Sequence, residues 1–178
     1  MAVLVSVTLS AKTYIADPMH TSIGFAVKHL GLSTVRGIFK TFTTTFTTDE
    51  DKGIITALSA DIDTASIDTR VDMRDNDLRS ANFFDVKQFP RATYVMKSYK
   101  GTKAGGKVIG ELTLHGVTKP VTLNLVINGT MADKNGKVRI AGIATAEINR
   151  SDFGIGKKGD MPVSEKVTLT IDIEAISQ

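Results

Sequence analysis

Cysteine and tryptophan are both absent from the 178 residues. The first absence removes disulfide frameworks, thiolate metal sites and cysteine nucleophiles together, yet leaves the compartment open, because a barrel with a large core needs no bridge in an oxidising space. The second, with only three tyrosines, argues against a carbohydrate platform that stacks sugar rings, and against single-stranded nucleic acid, which needs stacking surfaces beside basic residues. No stretch reaches the roughly 18 consecutive apolar residues of a membrane helix. Neither a G-x-S-x-G elbow nor an H-E-x-x-H pair occurs, so hydrolytic chemistry has no anchor. By elimination an apolar ligand is left.

Net charge is also small, +3 from scattered Lys and Arg, which favours an anionic head group or surface only weakly. Hydrophobic residues make up 42% and charged residues 23%, the balance of an ordinary globular chain, and this length fits a single domain. The N-terminus, MAVLVSVTLSAKT, is apolar but lacks the positive n-region and long h-region of a secretory signal. Either the protein is cytoplasmic, or this is a mature or excised chain with a new start; the second is the expectation.

What the chain does have is alternation. Leu112 and Leu114 alternate with Thr113 and His115, and Val121, Leu123, Leu125 and Ile127 alternate with Thr122 and Asn124, the period of a half-buried strand. Turn residues cut the chain into strands of about eight to twelve residues, as in an antiparallel barrel or sandwich. Asp49 to Gly53 separates 38–47 from 54–62, Gly101 to Gly106 separates 92–99 from 107–114, and Asn135-Gly136 marks a hairpin before Val138. A turn at His115 to Pro120, a loop over 149–165 and a last strand over 166–176 follow; with Ser22 to His29 the total is eight strands. Between Thr64 and Pro90 the alternation breaks, and Asp72 to Ser80 reads as a short helix followed by an apolar plug, Phe83, Phe84, Val86 and Phe89, over one barrel opening.

Several motifs reduce to structure. Gly101 to Lys107 matches the first seven positions of a phosphate-binding loop, but Val108 replaces the required hydroxyl and a strand follows where a helix must begin, so it is a hairpin turn. The sequons Asn128-Gly129-Thr130 and Asn149-Arg150-Ser151 have meaning only in a eukaryotic secretory pathway. His20, His29 and His115 with Asp17 lack a known metal-ligand spacing, and no metal is expected. His29 shares its parity with Ile23, Phe25 and Val27, so an inward apolar face carries it inward, as a ligand-head contact at a barrel mouth or a satisfied core histidine.

Four separated blocks line up with one pattern: Asp17-Pro18-Met19-His20 through His29-Leu30-Gly31 with Val35 to Phe39; Arg74 to Asp85 with Phe89-Pro90; Gly110 through His115-Gly116 to Val121; and Asn149-Arg150-Ser151-Asp152-Phe153-Gly154-Ile155. Together, over about residues 14–176, they resemble the YceI-like family of bacterial polyisoprenoid-binding proteins. The resemblance implies an all-β, eight-stranded antiparallel, lipocalin-like barrel at 14–176, with residues 1–13 an extension or the remnant of an excision. It implies an apolar lumen holding a polyisoprenoid, such as ubiquinone or a polyprenyl pyrophosphate, with no catalytic residue and no other cofactor, in a periplasmic or secreted protein. By parity the lumen is lined by Ile23, Phe25, Val27, Phe42, Leu112, Leu114, Leu123, Leu125, Ile140, Leu169 and Ile171. His29, Arg150 and Asp152 are the head-group candidates. No nucleic-acid partner is expected, and a homodimer stays open. The alternative is an extracellular carbohydrate-binding or cell-wall interaction module excised from a larger protein.

Overall fold

Alternating strands joined by tight turns pair with their chain neighbours, and a sheet built that way must either leave two edges bare or close on itself. In the computed structural model it closes. The described residues, 10–157, 159 and 162–178, form β1 (Ala11–Ala16), β2 (Ser22–His29), β3 (Ser33–Phe39), β4 (Phe42–Asp49), β5 (Ile54–Asp63), β6 (Ile67–Asp68), α1 (Asp72–Arg79), β7 (Arg91–Thr102), β8 (Gly105–Leu114), β9 (Val117–Ala132), β10 (Val138–Asn149) and β11 (Val163–Ser177). Strands β1, β4, β5, β7, β8, β9, β10 and β11 pair in that order, and β11 returns to β1, giving a ring of eight antiparallel strands. No helix among the described residues is long and apolar enough to cross a membrane.

Strand β11 does two jobs. Its last residues pair with β1, Tyr14 opposite Ser177, while its earlier part pairs with β2, Leu169 opposite Phe25. β1 and β2 therefore follow one another along β11, and β2 leads an outer flap of β2, β3 and β6. This corrects the expected membership of the ring: Ser22 to His29 belongs to the flap, and β1 takes its place. Residues 11–13 of the expected extension are part of β1, whereas 1–9 lie outside the described residues. The expected single strand over 38–47 is the end of β3 and the start of β4. Its ladder is interrupted because Lys40 N–H donates to the Ser66 carbonyl at 3.2 Å and Thr41 N–H to Ser66 Oγ at 3.0 Å.

The hairpin end of the barrel carries the β4–β5, β7–β8 and β9–β10 turns. At the opposite, helix end lie α1 and the segment after it. Helix α1 has Asp72 and Asp75 in its first turn and Arg79 in its last, matching the backbone dipole. Buried Asp75 accepts from Thr69 N–H at 2.8 Å and from its hydroxyl at 2.5 Å, while Arg79 donates to the carbonyls of Ala65 and Ile67. The helix is thereby tied to residues 65–69, and it holds the plug through Phe84 N–H donating to the Leu78 carbonyl and Val86 N–H to that of Arg79. Phe83 and Phe84 pack on the core, and Phe84 meets Phe39 edge-on at 5.8 Å.

Where β1 gives way to β2, Asp17 N–H donates to the Glu174 carbonyl at 2.8 Å, and Arg139 Nη1 lies 3.1 Å from Asp17 Oδ2 while also bonding Glu174 Oε1. Hydrogen bonds from His20, Arg139 and the Met19 N–H hold the Asp17 carboxyl down at about 2. A carboxylate with a depressed folded-state pKa contributes stability that is present above its unfolded value, near 4, and lost as pH falls through the folded value. Asp17→Asn should therefore lower the melting temperature at neutral pH. The gap to the wild type should narrow between about pH 4 and pH 2; a gap independent of pH would mean that the Asp17 charge contributes nothing.

Candidate functional site

An eight-stranded barrel has an interior that side chains just fill or that holds one ligand, so residue size decides. One wall here is built small. Gly142, Ala144 and Ala146 of β10 face inward, as do Gly110 of β8, Ala92 of β7 and Ala175 of β11. Opposite Gly110, the Tyr94 ring lies so close that a Cβ added there would meet it at 2.6 Å. The Tyr94 hydroxyl sits 2.9 Å from the Val108 carbonyl and 3.0 Å from that of Val121, and burial pushes its pKa up to about 12.

The inward-facing aliphatics divide into two groups. Leu114 and Leu125, with Val108, Val121, Phe46 and Tyr14, are buried. Ile23, Phe42, Leu112, Leu123, Ile140, Leu169 and Ile171 pack against that cluster yet keep part of their surface accessible. The register brings these together from separate strands: Leu123 opposite Val108, Leu125 opposite Ala144, and Ile171 between Ala144 and Ile23. Phe25 and Val27 carry the same face onto the flap, where the Phe25 ring covers Gly37 and lies 5.8 Å from Phe39.

At the hairpin end a cavity of about 330 Å³ opens among Tyr14, Ile55, Tyr99, Ile127 and Ile140, with Thr48, Glu50, Thr102, Lys103 and Thr130 among its polar lining. Each of the three hairpins at this end carries a register shift, at Thr47/Thr48, Met96/Ser98 and Ala141/Gly142. Such bulges bend a strand and re-aim its side chains, and they gather at barrel rims. The shift after Met96 turns Tyr99 to the side that Tyr94 and Met96 occupy, although its number has the other parity. Tyr14 stacks on Phe46 at 5.0 Å, and burial together with the Glu50 charge raises its pKa. Simple alternation could not have found Tyr99 or Ile55, because the bulges break it. Ile127 sits on the expected parity.

The three head-group candidates lie toward the other end. Arg150 is 4% exposed, and its five N–H groups are directed to the carbonyls of Ser164, Ile155, Lys157 and Val163 and to Glu165 Oε1. It clamps the loop before β11. Asp152 is exposed and accepts from Asn149 Nδ2 at 3.2 Å, and half-buried His29 ends β2 opposite Val163. Asp152 also lines a hollow of about 540 Å³ in the outer wall, where the β9–β10 ladder stops at Asn124 and Thr145 and Phe153 fills the gap beneath. That hollow is larger, but Lys119, Glu147 and Lys166 rim it and it is not the barrel interior.

His20 Nδ1, Asp17 and Glu174 offer ligand atoms within 4.8 Å of one another, but both carboxylates are engaged by Arg139, which supplies the cation. His115 stands apart in the β8–β9 turn, with Nδ1 3.2 Å from the Phe153 carbonyl and its ring on Phe89.

The sequence profile of the YceI-like domain matches residues 14–175. A UPF0312 protein of Pseudomonas putida is 39% identical over 163 residues, which span 91% of this chain and 84% of that one. The crystal structure of a Campylobacter jejuni YceI protein superposes with a TM-score of 0.79 at 34% identity, covering 85% of this chain and 90% of the other. A polyisoprenoid binding domain from Saccharophagus degradans shares the fold, with a TM-score of 0.60 at 16% identity over 93% and 97% of the two chains. Profile, identity over most of the length, and barrel agree: this chain belongs to the YceI-like domain family.

Proposed function

We propose that the chain binds a long-chain polyisoprenoid lipid, a quinone tail or a prenyl pyrophosphate, in the barrel interior for carriage, storage or sensing. The observation that carries this reading is the partly accessible inward wall of Leu112, Leu123, Leu169 and Ile171 beside the small residues Gly142, Ala144 and Ala146. The ligand class named for the Saccharophagus degradans domain supports the same class here. The tail lies along that wall, and the head group meets the mouth beside Thr48, Lys103 and Thr130. Arg150, with its donors already engaged, holds the barrel's loop and not the ligand. The activity is binding without turnover, and the setting is the periplasm or the outside of the cell.

Energetics favour retention. Hydrocarbon burial contributes ~0.8 kcal/mol per methylene, so several isoprene units summed naively pass the practical ceiling of about 20 kcal/mol. Ordering the flexible tail consumes the excess.

Native mass spectrometry of protein from a bacterial host should show a discrete hydrophobic adduct, and repeated preparations at the bare chain mass would overturn the reading. Ile171→Phe puts a larger ring into the accessible space and should lower adduct occupancy several-fold with the sheet signal in circular dichroism unchanged; full occupancy would take the tail away from that level. Lys103→Glu should weaken retention of a prenyl pyrophosphate while leaving a quinone unaffected, and equal loss of both would remove Lys103 from head-group contact.

A further inference from the structure

We propose that the tip of the β2–β3 hairpin is a docking surface for anionic lipid bilayers. From Pro18 to Thr48 the chain contains no aspartate or glutamate, and the lysines and arginines of that stretch are Lys28, Arg36 and Lys40. Lys40 pairs with Asp68 at 3.2 Å. Lys28 and Arg36 are exposed, and the pairs Lys28–Thr34 and Ala26–Arg36 put both on the outward face of the hairpin, with Ile38 further along the same face. Lys157 is exposed on the adjoining loop, which reaches the tip through Leu30 N–H donating to the Pro162 carbonyl at 2.7 Å.

The tip itself is leucine. Leu30 is 51% exposed and Leu32 82%. Leu32 N–H closes the turn on the His29 carbonyl at 3.0 Å, and Leu30 and Gly31 have φ of 53° and 70°. Within the three-residue connection between His29 and Ser33 this is an i to i+3 turn with both central residues left-handed, a geometry whose first central position favours Asn, Asp or Gly. A leucine there is strained and leaves its side chain in water, so folding alone gives no reason for it. Exposed apolar side chains flanked by cations, on an acid-free hairpin, form a wedge that enters the headgroup boundary while Lys and Arg hold anionic lipid. The tip lies at the helix end beside His29, so docking there sets the barrel on the bilayer with the hairpin-end mouth turned away; the inference rests on the proposed lipid-binding role in that a protein that takes up a water-insoluble chain has to meet the membrane that holds it.

Flotation of the full chain with phosphatidylcholine vesicles, plain or mixed with phosphatidylglycerol, tests the surface. Binding should require phosphatidylglycerol and weaken with salt. Leu32→Ser should lower partitioning about tenfold, and Lys28→Gln with Arg36→Gln about fivefold for each charge removed. Leu30→Asn installs the residue that the turn prefers, so it should hold or raise the melting temperature while binding falls; misfolding is thereby separated from lost contact. Wild-type protein that stays out of the floating fraction, or a Leu30→Asn variant that floats equally well, would overturn the proposal. So would a dimer in sedimentation, without vesicle binding, that Leu30→Asn splits, since the tip would then belong to a second copy. Protein that carries the hydrophobic adduct but does not float leaves the lipid-binding reading intact, whereas protein that floats yet never holds an adduct overturns that reading alone.

Discussion

The rest of the structure depends on β11 closing the ring against β1. Ala175 at that seam has no exposed surface, and Ser177 is 4% exposed, with its hydroxyl accepting the Val138 N–H at 2.8 Å. Gln178 N–H continues the seam to the Thr13 carbonyl. With the ring shut, each of its eight strands has a neighbour on both sides over part of its length, and an inward apolar face exists at all. The small residues of β10 acquire meaning only in that enclosure, because on an open sheet glycine and alanine would merely be weak strand formers.

Buried charge serves the irregular segments. Asp75 fixes Thr69 at the approach to α1, and Arg150 gathers the Ile155 and Lys157 carbonyls of the loop before β11 with the Val163 and Ser164 carbonyls at the start of that strand. Backbone that leaves a ladder needs partners for its polar groups, and a charged side chain with several donors or acceptors supplies them at once. Both sit at the helix end. Among the described residues the interior proper is lined by aliphatics, aromatics and a few hydroxyls such as Thr44 and Tyr94.

Much of this was legible before any coordinates. The parity of Leu112, Leu114, Leu123, Leu125, Leu169 and Ile171 pointed to one inward face, because strand alternation survives wherever pairing is regular. Acidic residues in the first turn and a basic residue in the last turn of Asp72 to Arg79 mark a helix for electrostatic reasons. What stayed hidden has a common cause in irregular backbone. The bulges that swing Ile55 and Tyr99 to the mouth leave no trace in composition, the interruption between β3 and β4 depends on Ser66 far along the chain, and β1 is too short to announce itself. Arg150 belongs to a recognisable block, but nothing in its sequence neighbours indicates that carbonyls from Ile155 to Ser164 and the Glu165 carboxylate take its donors.

Joining the first barrel strand to the last has a temporal consequence. During synthesis the hairpins from β4 to β10 can pair as they emerge and Tyr14 can pair with Phe46, whereas the other edge of β1 must wait until Ser177 is available. The nascent molecule is thus an open curved sheet with two bare edges for most of its translation, and loops of such length delay closure. On the proposed lipid-binding reading, that trough lies open along its whole length to an apolar chain before the staves meet.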